Sequence, residues 1–499
     1  MEHIGVGQLQ CRLDELINYL TPFMSLINCH MVNYLTDDYW NEFVPQSLRA
    51  ELPTPVEVQQ AIEILFSNDS TDLQQFPALA QFLEMSKRHR LSSTTELLTS
   101  VEQLDQLLNA QMQTQLNIKE FMSAKKCHEV ELTAALINKL VKSIIDDTNC
   151  YIVDAGDGKG YLSSRLSLEY GLSVLGIDAN ESNTKNALSR DSKLQRAWNG
   201  LTERAEILNQ GKTPPRRGKK SSSRETHINT PTNKYKTTSI YITTELNLSD
   251  LVKEHFKDEL QVVDPCICLT GLHTCGNLAA TCLQVFHAQN NCRVLCNVGC
   301  CYHLLNERYS EQEFFGNKAL MKQSTDFGFP MSRYLQERKV KLGRNARMLA
   351  AQSIERTLSA KELPNISLYY RALLEVLVCS HAPDLKNSLQ VGKVQKFNNF
   401  IEYVQKCSKK LNASWLAEVK EDELEALLQK YESDKHYLSL FYLLRMSFAP
   451  VVESLILLDR LLYLKELGYT HSYLIDLFDA VISPRHYAVV AFKETSIRR

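Results

Sequence analysis

The chain has 499 residues, 44% of them hydrophobic and 23% charged, a balance that excludes wholesale disorder, collagen and coiled-coil rods and allows several buried cores. Its 56 basic and 58 acidic side chains leave a formal charge of −2, so any surface for nucleic acid or membrane must be local. The 18 glycines are about half the usual share of roughly 7%, which favours helix.

Met1-Glu2-His3 opens polar and acidic, without the apolar run of a secretory signal or the arginine-rich character of an organellar presequence. The 14 cysteines are therefore expected reduced, in cytosol or nucleus. Residues 1–121 read as a helical module, with Leu13, Leu16, Ile17 and Leu20 at helical spacing and a capping box with proline, Thr54-Pro55-Val56-Glu57, opening a second helix. Ser123 is placed to cap a further helix whose Val130, Leu136, Ile137, Leu140, Val141 and Ile144 form a buried stripe.

From Cys150 the period changes. Tyr151-Ile152-Val153 is a short β-type run, followed by a glycine loop, a helical stretch over 162–170 and then Ser173-Val174-Leu175-Gly176-Ile177, which makes a βαβ unit. Ser239–Ile242, Cys266–Leu272 and Arg293–Val298 are further strand candidates, apolar on both faces as in a parallel, doubly wound sheet. Between the second strand of the sheet, ending at Ile177, and the third, from Ser239, Gly211–Thr237 holds eight Lys or Arg against the single Glu225 and reads as a disordered basic loop. Residues 306–470 are mostly helical in period, with Val451, Leu455, Leu458 and Leu462 on one seam and Gly468 as the stop. Val451–Leu464, the most apolar long segment, is interrupted by Glu453, Asp459 and Arg460 and falls short of the roughly 20 apolar residues of a membrane span, so no membrane is expected as a partner. In the last segment, 471–499, Tyr473–Phe478 and Tyr487–Phe492 flank Ser483-Pro484 as a terminal hairpin.

The strongest chemical signal is Asp154-Ala155-Gly156-Asp157-Gly158-Lys159-Gly160, between the first strand and its helix. A dinucleotide fingerprint would need glycine where Tyr161 stands, and no Gly-Lys-Ser/Thr closes a phosphate-binding P-loop. Asp178 ends the second strand, where α/β nucleotide sites use a carboxylate to accept both ribose hydroxyls. An acid with three glycines followed by this aspartate resembles the S-adenosylmethionine site of class I methyltransferases, the loop lying under the methionine moiety; the plain alternative is a glycine turn beside an exposed aspartate.

The chain resembles the methyltransferase-like protein 25 family over most of its length beyond residue 120. The resemblance rests on the glycine loop, on Met122-Ser123-Ala124-Lys125-Lys126-Cys127-His128-Glu129-Val130, Gly271-Leu272-His273-Thr274-Cys275-Gly276, Gly299-Cys300-Cys301-Tyr302-His303 and Gly343-Arg344-Asn345-Ala346-Arg347-Met348, and on Ala449-Pro450 through Asp459-Arg460. It implies a class I, Rossmann-like α/β core over 122–305 with the terminal antiparallel hairpin completing its sheet, an N-terminal helical module, a large helical insertion over 306–470 and S-adenosylmethionine as cofactor.

Asp154, Gly156, Gly158, Gly160 and Asp178 are the expected cofactor residues, with Lys126 a candidate for the cofactor's carboxylate and Glu245 for its adenine amino group. In such enzymes the loop after the fourth strand faces the reactive methyl; here it has no Asn/Asp-Pro-Pro-aromatic motif of amino-methylating nucleic-acid enzymes, but His273 and Cys275. The next loop brings Cys300, Cys301 and His303. Four readings stay open. His273 or His303 can act as general base, and Cys300 or Cys301 as a nucleophile. A zinc site of Cys275, Cys300 and His303 lacks a supporting CxxC pair, so no metal is assigned. The cysteines can also simply pack beneath a cofactor. Arg344 and Arg347 are candidates for an anionic substrate. RNA is the favoured acceptor, a protein acceptor second, and a catalytically silent scaffold the rival outside catalysis.

Overall fold

The computed structural model describes residues 4–67, 72–109, 116, 118–120, 122–145, 150–214, 234–258, 264–310, 326–386, 388–389 and 391–493. They form two compact units, one of residues 1–14, 94–342 and 453–499, the other of residues 15–93 and 343–452. Both units are discontinuous in sequence, so each draws on the N-terminal module and on the long helical stretch after residue 306.

The first unit is built on a seven-stranded sheet ordered β3-β2-β1-β4-β5-β7-β6. Its strands are β1 (Cys150–Ala155), β2 (Ser173–Ile177), β3 (Tyr235–Thr238), β4 (Cys266–Cys275), β5 (Cys292–Cys300), β6 (Ser472–Asp476) and β7 (Tyr487–Phe492). The first five pair in parallel, and β7 runs antiparallel between β5 and β6. Every residue of β1 and β7 is buried. A parallel sheet needs such runs because crossover helices cover its faces. Helix α1 (Ala124–Ile144) precedes β1, and the crossover helices are α2 (Tyr161–Tyr170), α3 (Glu181–Asn209), α4 (Leu248–Phe256) and α5 (Asn277–Ala288). Ser123 caps α1, accepting from the Lys126 amide at 3.3 Å. The stripe Leu136, Ile137, Leu140, Val141 and Ile144 packs with Ile152, Val174, Val294 and Val490 in one core. The fold is the doubly wound α/β class with a terminal hairpin.

The third strand departs from expectation. It is Tyr235–Thr238, and Ser239–Ile242 is the irregular segment after it. Tyr235 has no apolar neighbour in sequence to announce a strand, because β3 lies at the sheet edge and three of its four residues are only half buried. The end of the segment read as disordered, Tyr235–Thr237, is thus β3, while residues 215–233 lie outside the described residues.

The second unit is helical. Pro55–Ser67 opens on half of the expected capping box: Glu57 accepts from the Thr54 amide at 3.1 Å, while the Thr54 hydroxyl accepts from the Val56 amide at 3.3 Å. Phe23, Phe82 and Phe448 form an aromatic knot, with Phe448 centroids 4.9 and 5.6 Å from the other two. Arg445 is buried there and donates to the Ile27 carbonyl at 3.1 and 2.8 Å.

The apolar segment near residue 450 is longer than the sequence suggests, since the helix Asp434–Met446 leads almost directly into α6 (Ala449–Glu466). By length and composition Asp434–Glu466 is able to cross a membrane, but 89% of its most apolar window is buried inside the protein, as in a core helix. Three charges of α6, Glu453, Asp459 and Arg460, are buried too. Asp459 accepts from the amides of Met331 and Ser332 at 2.7 and 2.9 Å and from the Ser332 hydroxyl at 2.6 Å, and Glu453 accepts from Tyr302 at 2.7 Å.

Candidate functional site

The sheet order reverses at β1, which has β2 on one side and β4 on the other, so the connections leaving β1 and β4 diverge and open a crevice at the carboxyl edge. A cavity of about 460 Å³ lies there, in the size range of small-molecule sites. Gly156, Asp178, Tyr241, Cys275, Asn277 and Leu304 are among its walls.

Its β1–β2 side is made by the glycine loop. Gly156, Gly158 and Gly160 have φ of 77°, 59° and 69°, the left-handed region that side chains disfavour. A Cβ on Gly160 would also stand 2.9 Å from Cβ of Ala187, so this glycine lets α3 pack under the loop. The amides of Gly156 and Asp157 both bond the Ile177 carbonyl, at 2.8 and 3.1 Å, tying the loop to β2. Asp178 follows directly, accepting on Oδ2 from the Gly158 amide at 3.0 Å and on Oδ1 from the Asn180 amide at 2.8 Å and Asn183 Nδ2 at 3.1 Å. A carboxylate oxygen accepts two bonds, so Oδ2 keeps acceptor capacity for a ligand hydroxyl.

The two other acids of the loop turn inward. Asp154 and Asp157 are both buried, neither is among the residues lining the cavity, and the Ser163 hydroxyl lies 3.0 and 2.7 Å from their oxygens. Burial, and then the neighbouring Asp157 charge, raises the Asp154 carboxyl well above its usual range; burial also pushes Asp157 up to about 6, against the bonds from Tyr235 and Ser163. Two adjacent buried carboxyls favour sharing a proton. Asp154 therefore does not face the cavity as the sequence suggests. Asp157, without an evident role in the sequence, accepts from the Tyr235 hydroxyl and so couples the loop to β3.

The β4–β5 side is irregular. Gly271–Gly276 is not a loop: β4 runs to Cys275, with a register shift between Leu272 and Thr274. His273 is the extra residue, at φ 70°. Its imidazole is bonded to Glu129 of α1, Nε2 to Oε2 at 3.0 Å. Glu129 is 1% exposed and also accepts from Ser483 at 2.7 Å, with Lys125 at 3.6 Å. Burial alone would raise this carboxyl, but His273, Ser483 and Lys125 hold it down to about 2. Neither His273 nor His303 lines the cavity. The bulge turns His273 toward α1, so its imidazole is engaged by Glu129 and not at the cavity wall.

The thiol that lines the cavity is Cys275. Its sulfur is 3.2 Å from that of Cys300, which is 3.8 Å from that of Cys301. The hydrogen bond with Cys300 holds the Cys275 thiol down to about 6, against burial, and the same bond, with burial, raises Cys300.

The remaining candidates are placed as follows. Lys126 lies over the Tyr161 ring, 4.9 Å from its centroid, and is not among the residues lining the cavity. Glu245 sits in an exposed turn, accepting from Thr244 at 3.1 Å, while Ile240, Tyr241, Ile242 and Thr243 line the cavity in its stead. That difference follows from β3 ending at Thr238, four residues earlier than the sequence suggests. Arg344 and Arg347 belong to the second unit, and Arg347 is buried in its helix Arg344–Ala350, which withdraws it from a surface phosphate contact. Sequence reasoning missed Tyr241 and Asn277 at the cavity, the Tyr235–Asp157 bond and Glu129 as the partner of His273; no spacing rule links residues 144 positions apart.

Comparison with known proteins agrees with this geometry. Residues 125–308 match the model of a family described as a methyltransferase domain. Over 97% of its length the chain is 30% identical to 97% of a human and of a mouse protein, each named "Probable methyltransferase-like protein 25". No solved structure matches.

Proposed function

Since the chain belongs to the methyltransferase-like protein 25 family and carries a methyltransferase domain, we propose that it transfers the methyl group of S-adenosylmethionine, and that the acceptor is RNA. Asp178 carries the donor reading. It stands at the end of β2 on the cavity wall, its two oxygens fixed by the glycine loop and the start of α3. The remaining acceptor capacity suits a ribose diol, the bare backbone at Gly156 allows a close approach, and Ile240, Tyr241 and Ile242 offer apolar and aromatic surface to a base.

When bound, this donor supplies a methyl group already activated on a sulfonium. The chain's own part is then to hold and orient. Asp178 accepts, the glycine loop yields space, and the β4–β5 edge with Cys275 and Asn277 forms the opposite wall, where an acceptor is aligned.

The preference for RNA rests on the eight Lys or Arg of residues 211–237, a run that leads straight into β3 and the cavity wall after it. Three of the eight are engaged within the unit, Lys212 with Gln210 Oε1 at 3.0 Å, Lys234 with the Gly171 carbonyl at 2.8 Å and Lys236 with the His255 carbonyl at 2.8 Å. The others are available, by composition, for phosphates. The test is transfer of labelled methyl from S-adenosylmethionine by the purified chain to RNA and protein from cells that lack it. Label in RNA, lost with Asp178→Ala, supports the reading. Label confined to protein overturns the acceptor, and label in neither overturns the activity.

A further inference from the structure

We propose that Cys275, Cys300 and Cys301 form a three-thiolate site for a zinc-class divalent cation, with its fourth position reached from the cavity. The three sulfurs lie within 4.8 Å of one another, with Cys275–Cys300 at 3.2 Å and Cys300–Cys301 at 3.8 Å. Thiolates about 2.3 Å from a tetrahedral zinc are about 3.8 Å apart, so small side-chain adjustments complete the geometry.

Two backbone distortions bring these sulfurs together. Leu272 pairs with Val298 and Thr274 with Gly299, so the inserted His273 shifts the register by one and sets Cys275 opposite Cys300. Paired residues of parallel strands point to the same face. Without the bulge Thr274 would oppose Cys300, and Cys275 would take the other face. Cys301, next along the chain, would also alternate away, but its φ of 50° turns it back beside Cys300. A left-handed conformation at a non-glycine residue is costly and clusters at functional sites. Cys268, Cys292 and Cys296, in the same two strands, show no such torsion and are buried in the core.

The surrounding charge fits a metal–thiolate cluster. Three thiolates and a divalent cation carry a net −1. Arg460, 1% exposed, lies so close to Gly299 that a Cβ there would overlap its Nη1, and its Nε, Nη1 and Nη2 have no hydrogen-bond partner among the described residues. Two carboxylates that act on its charge, Asp459 and Glu453, accept their own bonds from Met331 and Ser332 and from Tyr302. A buried guanidinium calls for a neighbouring anion, and the cluster begins one residue beyond Gly299.

Thiolates select zinc over magnesium or calcium. Among the described residues no histidine, carboxylate or fourth thiol joins the group, and three protein ligands leave one zinc position to a non-protein ligand. Cys275 is on the cavity wall, so that ligand approaches from the cavity. Cys301 thus takes the place that the sequence offered to His303, and the cluster runs against the expectation of no metal. The assignment does not depend on methyl transfer.

The test is elemental analysis of the full chain, produced with zinc and purified under reducing conditions over a weak chelator. Close to one zinc per chain is expected. Cys301→Ser and Cys275→Ser should each weaken zinc binding at least about tenfold in chelator competition, given that even supporting residues are worth 10–100-fold. Should a variant fail to fold, cobalt substitution of the wild type reads the same site through thiolate-to-cobalt charge-transfer absorption. Zinc-free protein with no cobalt–thiolate band, a mapped Cys275–Cys300 disulfide in its place, or zinc retained unchanged by both folded variants would overturn the proposal.

Discussion

The two walls of the cavity are made by different means. On the β1–β2 side the left-handed torsions fall on glycines, and the chemistry comes from backbone at three of them and from one carboxylate, Asp178. On the β4–β5 side two non-glycine residues, His273 and Cys301, take left-handed torsions, and the chemistry comes from side chains that converge because of them. One wall is defined by spacing along the chain, the other by a one-residue slip between strands. The first wall suits a shared donor, the second a particular acceptor or metal.

The contrast can be broken most severely at Gly160. Gly160→Val forces a β-branched residue into φ 69° against Ala187, and strain with overpacking should cost about 3–5 kcal/mol in chemical denaturation. Loss below about 1 kcal/mol would show that the loop is not set by its torsions. On the other wall, His273→Ala removes the Nε2 partner of buried Glu129 and should cost about 1–3 kcal/mol. His273→Gly should cost about 1 kcal/mol less, because glycine occupies φ 70° freely. Equal losses from the two variants would remove backbone strain from the description of the bulge.

The walls should also answer to pH with opposite sign. Asp157 is raised in the folded chain to about 6, so it binds a proton that the unfolded chain has already released, and its part in stability grows as pH falls from above 6 toward 4. Glu129 is depressed to about 2, so its contribution is present above the unfolded value near 4.5 and is lost only as pH falls toward 2. Hydrogen exchange corrected for intrinsic rates should thus show the Gly156–Gly160 amides better protected at pH 5.5 than at 7.5. Asp157→Asn should flatten the first response. Protection that falls on acidification in wild-type protein would contradict the shared proton.

What was legible in the sequence follows the same division. The capped helix at Ser123, β1, β2 and the glycine loop are local patterns, since strand period, cap and turn chemistry are written within a few residues. The terminal hairpin was legible for the same reason. The edge strand Tyr235–Thr238 was not, because it buries little apolar surface, and its misplacement carried the adenine-side expectation to Glu245 in place of Ile240–Thr243. The inward turn of Asp154, the Glu129–His273 pair and the thiol cluster depend on contacts between distant segments or on a bulge that no residue pattern announces.

The central claim is that the cavity at the β1 switch point binds the methyl donor through Asp178. Calorimetric titration of the full chain with S-adenosylmethionine tests it directly, on wild type and Asp178→Ala, with melting temperatures taken alongside. The expected result is saturable binding by the wild type and an affinity loss of about tenfold or more in the variant, since a hydrogen bond to a charged group is worth about 1.5–3 kcal/mol. Binding that is unchanged by Asp178→Ala, or a wild type that prefers NAD, would contradict it.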